Sequence, residues 1–116
     1  MMHQSIAIIL ENWVEKINED EFYFSNAFEQ LFQEKTSYEA FEFIPHMLEA
    51  ILETNDDFVA AQLIFHLNCL YGKADTTEIH TALSEQQTKL EKHIARLDGH
   101  YAMRDYRELK RDLRLN

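Results

Sequence analysis

The sequence predicts an all-α protein, a single domain of five to six helices over residues 1–116, and three observations carry the prediction. The first is composition: two Gly and one Pro in 116 residues leave few turn formers, Leu, Glu, Ala, Lys, Gln and Arg are abundant, and Val stands only at 14 and 59. The second is periodicity, because apolar residues recur at spacings of three and four along most of the chain. The third is Phe58 to Tyr71, a run apolar around almost the whole circumference of a helix. Such a helix must be surrounded by others. At this length there is room for one core and none for a second domain.

In order along the chain, Ile6, Ile9, Leu10, Trp13, Val14 and Ile17 form one face of a first helix over about Gln4 to Ile17. Asn18-Glu-Asp-Glu21 has the form of a capping box, with Ile17 and Phe22 placed as a hydrophobic staple, and predicts a second helix over about Glu19 to Lys35. Phe24, Ala27, Phe28, Leu31 and Phe32 share its inner face. Thr36-Ser-Tyr-Glu39 repeats the box, with Ser37 as the competing cap, and opens a third helix over about Tyr38 to Glu53. Pro45 inside it removes a backbone donor and either kinks the helix or starts a new one near Ile44. Its polar residues Glu39, Glu42, His46, Glu49 and Glu53 stack along one outward line.

Thr54-Asn-Asp-Asp57 then caps the central helix, and its acids suit the positive end of the helix dipole. Gly72 is the expected left-handed stop. Lys73 to Glu78 reads as a loop and cap, and residues 76–97 as one helix or, with a restart at Ser84-Glu-Gln-Gln87, two. Asp98-Gly99 breaks the chain before a last helix from about His100 to Leu113, on which Arg104, Arg107, Arg111 and Arg114 line one face.

The chain carries no signature of catalysis. His46 lies between Glu42 and Glu49, but Glu-x-x-His, His-Glu-x-x-His and paired Cys or Cys/His spacings are all missing. Phosphate loops, nucleotide fingerprints and nucleophile elbows are missing too. The reading is therefore neither enzyme nor metalloprotein, and without cofactor. Cys69 is alone, which excludes an internal disulfide, and its apolar neighbours predict a buried, unreactive thiol in a reducing cytosol. His66 shares a face with Gln62 and reads as a half-buried, hydrogen-bonded pair. No basic leader precedes the first apolar run, and the central run, interrupted by Gln62, His66 and Asn68, is too short and too polar to span a bilayer.

Charge is the one functional pointer. The net charge of −10 is uneven: residues 1–88 carry three basic and sixteen acidic side chains, residues 89–116 eight basic and five acidic. A field of that sign disfavours nucleic acid and favours a basic protein partner. Asp105, Glu108 and Asp112 interrupt the C-terminal basic line, which intramolecular pairing explains more simply than phosphate binding.

Phe43 to Leu67, with its early proline and acidic turn, resembles one α-hairpin of a HEAT-type repeat. The whole layout is a short acidic helical chain with the Asp56-Asp57-Phe58 hairpin, the Asp75-Thr-Thr-Glu78 loop and a charged helical tail. It is similar to the immunity proteins of bacterial polymorphic-toxin and contact-dependent growth-inhibition systems. That resemblance implies a cytoplasmic protein that binds one cognate toxin domain, often a nuclease, and covers its active site. The line of Glu39, Glu42, His46, Glu49, Glu53, Asp56 and Asp57 is then the expected partner-binding face, with Tyr38 and Phe58 as aromatic anchors. A helical adaptor without inhibitory role is the alternative, and self-association is left open.

Overall fold

A computed structural model describes residues 1–115 as seven helices: α1 (Gln4–Leu10), α2 (Trp13–Glu19), α3 (Tyr23–Gln33), α4 (Ser37–Glu53), α5 (Asp57–Ala74), α6 (Thr81–Arg96) and α7 (Tyr101–Leu113). No strand occurs among the described residues. The Cα radius of gyration is 13.3 Å, against about 13 Å for a close-packed chain of this length. α5 lies at the centre, packed chiefly against α4 and α7 and also against α3. Leu63, Ile64, Leu67 and Leu70 on it have no exposed surface. Truncating any of these leucines to alanine is a change that costs about 2–5 kcal/mol in a core.

Seven helices rather than five to six follow mainly from one bend. The expected first helix is broken at Glu11–Asn12, where Asn12 adopts a left-handed conformation with φ 52°, which asparagine tolerates better than most residues. Periodicity cannot register the break, because Ile6 and Ile9 of α1 and Trp13 and Ile17 of α2 still all pack on the core. The Asn18 capping box does not form. Asp20 Oδ1 instead accepts from Phe22 N at 3.0 Å in the turn before α3, whose N-cap Phe22 has no side-chain cap, so α3 starts late and Phe22 is left 62% exposed.

Further along, the Thr36–Glu39 capping box forms in both directions, and Thr36 rather than Ser37 is the cap. α4 then runs through Pro45 without a new start near Ile44. α5 passes Gly72 and stops two residues later, with Asp75 in the left-handed conformation. Residues 81–96 are one helix, begun by His80, whose Nδ1 accepts from Ala82 N at 3.0 Å. Histidine caps α1 the same way, His3 Nδ1 accepting from Ser5 N.

The link between α6 and α7 is locked by a close approach. Asp57, on the first turn of α5, accepts from Tyr101 N at 2.9 Å and Ala102 N at 3.2 Å and so caps α7. Gly99, at φ 156°, lies so near that a Cβ there would stand 2.4 Å from Asp57 Oδ2. Gly99→Ala and Asp57→Ala should each destabilise the fold by about 1–2 kcal/mol, from strain and lost capping respectively. Their urea-unfolding energies should combine to less than the sum, because the clash and the cap share one carboxylate; strict additivity would show that the contact is not formed.

Candidate functional site

The carboxylates expected to form one line divide into three groups. Glu49 and Glu53 face the Met1 ammonium at 2.6 and 3.6 Å, and Glu49 Oε1 is sealed from solvent there. That contact holds the Glu49 carboxyl below its usual pKa. Asp56 Oδ1 accepts from Val59 N at 2.9 Å as the cap of α5, and Asp57 is consumed in capping α7. Glu39, Glu42 and His46 form the open N-terminal half of the line; Glu53 and Asp56 are exposed too, but Glu53 faces the Met1 ammonium and Asp56 is held as a cap.

Tyr38 belongs to that open half and Phe58 does not. Tyr38 is 64% exposed. Two shallow clefts of about 360 Å³ each flank it, one running to Phe41, Thr76 and Glu78, the other to Glu39, Phe43 and His46, and Glu42 borders both. Glu39 is fixed by the capping box, and the Thr36 backbone N–H, then its hydroxyl, hold the Glu39 carboxyl below its usual pKa. His46 rests against the His3 ring, centroids 4.6 Å apart. Glu78 is the member that pattern reading missed, since it comes from the loop before α6 and shares no helical spacing with Glu42. Phe58, by contrast, stacks on Trp13 at 5.5 Å and also meets Phe24 and Tyr101, which makes it a core ring.

A second concave feature lies between α3 and α5, where the central helix is not covered. Phe65 is 51% exposed and Cys69 is exposed, against the expectation of a buried thiol. With Phe32, Glu29, His66 and Lys73 they line a groove of about 470 Å³. His66 is 4% exposed, the one polar side chain in the core among the described residues, rather than half-buried. Its Nδ1 donates to Gln62 O at 2.7 Å and its ring stacks on Phe28 at 4.6 Å. Burial pushes the His66 pKa down, against the Gln62 carbonyl and Asp105, and partial desolvation by the groove walls pushes the Cys69 thiol up even at its exposed position.

The basic face of α7 is partly neutralised: Arg104 pairs with Asp105, Arg111 with Glu108, and Lys110 with Glu91 of α6 at 3.5 Å. Glu91 also accepts from the Tyr106 hydroxyl at 2.6 Å. No group of three or more His, Cys, Asp or Glu side chains that could hold a metal ion exists among the described residues. No helix among them is long and apolar enough to cross a membrane. The chain matches no protein-family model, no curated protein and no solved structure.

His3 and His66 both have folded-state pKa values below the ordinary 6.5, mainly through burial. The unfolded chain therefore binds more protons as pH falls, and their contribution, complete above pH 6.5, is lost on acidification below it. Denaturation midpoints should fall from pH 7 to pH 5, and the slope should shrink in His66→Phe; an unchanged slope would show that His66 does not titrate on unfolding.

Proposed function

We propose that the protein is an immunity protein that binds and neutralises a cognate toxin domain, a nuclease with a basic cleft, through the Tyr38 face of α4. The observation that carries this reading is Tyr38 itself, an exposed ring standing between clefts edged by Glu39, Glu42 and Glu78. Tyrosine is a recurrent interface hot spot, giving large contact area for little lost rotamer freedom. The carboxylates around it suit lysine and arginine, and the net charge of −10 draws a basic domain towards them from a distance. A cleft built to hold phosphate is such a domain's active site, so occupying it blocks the enzyme without any chemistry by the inhibitor. The resemblance to contact-dependent growth-inhibition immunity proteins points the same way, as does its implied site of action, the cytoplasm.

The adaptor alternative calls for a contiguous apolar face. The exposed large hydrophobic side chains beyond Met1 are instead spread one to an element: Ile8, Val14, Phe22, Tyr38, Phe65 and Tyr101. Among the described residues no ring contact joins any two of Phe22, Tyr38, Phe65 and Tyr101, which supports the charged face as the recognition surface.

The test begins with the protein that co-purifies with the tagged chain from its native cell. Tyr38→Ala combined with Glu42→Lys should weaken that complex by about a hundredfold or more and flatten its salt dependence, given typical hot-spot energies. Asp57→Asn should alter stability and leave affinity unchanged. If the Tyr38/Glu42 double variant binds as the parent does, with the same salt slope, the α4 face is not the recognition surface.

A further inference from the structure

We propose that the groove between α3 and α5 is a binding site for a small, neutral, planar aromatic molecule bearing one O–H or N–H donor, of the phenol or indole class. The donor engages His66 Nε2. This site is separate from the α4 face and does not rest on the toxin reading.

The argument starts at His66. A carbonyl only accepts, so the 2.7 Å contact with Gln62 O places the ring proton on Nδ1. The neutral ring favoured by burial then presents Nε2 as an acceptor. Among the described residues no protein donor reaches that nitrogen. Nor is it among the atoms sealed from solvent, so it opens on the groove that His66 lines. An imidazole 96% withdrawn from water thus offers its second nitrogen, an acceptor, to the groove, where solvent or a ligand can donate to it. A ligand that displaces solvent from the groove keeps that hydrogen bond only if it donates.

The walls set the rest of the ligand. Phe32 and Phe65 provide apolar sides, and Phe28 backs the imidazole in a near-parallel stack at 25°, so a flat ring continues an aromatic layer already present. The volume of about 470 Å³ falls within the range of small-molecule sites. Ser25 to Gln33, the length of α3 along the groove, spans about 12 Å, room for one or two fused rings. At the rim Glu29 opposes Lys73, whose ammonium reaches the Gln33 carbonyl at 3.4 Å, so neither an anion nor a cation is preferred. Phe65, half exposed on the most deeply buried helix, is the side chain such a ligand would cover.

The experiment compares 2-naphthol with 2-methylnaphthalene, close in shape but lacking the donor, by calorimetry and by side-chain 15N shifts of His66. 2-Naphthol should bind about tenfold more tightly, the worth of one neutral hydrogen bond, and move the Nε2 resonance. His66→Phe should erase the difference between the probes, with circular dichroism checking the fold. Cys69→Trp, a change at an exposed position, should fill the groove and block both probes even if His66→Phe fails to fold. Equal affinities, no binding at the solubility limit, shifts mapping outside the groove, or full binding by Cys69→Trp would each overturn the proposal. Concentration-dependent sedimentation abolished by Phe65→Glu would overturn it too, in favour of a second copy of the chain as the occupant.

Discussion

The Thr54 carbonyl at the end of α4 accepts a hydrogen bond from His93 Nε2 of α6 at 2.7 Å, and three residues later the Asp57 carboxylate accepts two from the start of α7. Between them Asp56 caps α5. One short turn therefore satisfies polar groups at the ends of three helices and ties a fourth to them. Helix ends carry unpaired donors and acceptors that cannot be buried bare, and here those obligations are met between helices rather than within them. The close packing of α5 against α4 and α7 depends on this, because α7 can approach only with its first N–H groups already satisfied.

Four of the six histidines meet the same kind of obligation. His3 and His80 cap helices through Nδ1, His93 donates to a helix-end carbonyl, and His66 donates to one inside α5. In a chain with two glycines and one proline, imidazole supplies much of the end chemistry that turn residues supply elsewhere. Read along the sequence these residues have no pattern. His93 alone reaches a distant segment; the bonds of His3, His80 and His66 are made to near neighbours, and they go unseen because histidine is not among the usual capping residues.

How much was legible follows the same division between local and distant contacts. Residues that act through their own helix could be read: the Phe24, Phe28 and Phe32 stripe, the Thr36–Glu39 box, the exposure of Glu42, and the break at Gly99 all appear as their spacing predicts. Residues whose partners come from elsewhere could not. Asp57 looks like a free acid until Tyr101 and Ala102 arrive, and Phe58 like an exposed anchor until Trp13 stacks on it. Cys69 shows the opposite error. A run apolar on every side implies complete enclosure, yet a groove between α3 and α5 leaves Phe65 and Cys69 uncovered. The candidate face was accordingly half legible: Tyr38, Glu42 and His46 are open as their spacing implies, whereas the contacts that hold Glu49, Glu53 and Asp57 come from distant segments.

α2 holds no buried residue at all, and this sets the order in which the molecule loosens. Its seven residues join the core through the half-covered Trp13 and Ile17, so its amide hydrogens exchange through local opening well below the free energy of global unfolding. Trp13, the chain's one tryptophan, rides on that segment with its ring against Phe58. Intrinsic fluorescence thus reports the detachment of α2, and circular dichroism the melting of the α4–α5–α7 body. The two signals describe different events in the same molecule.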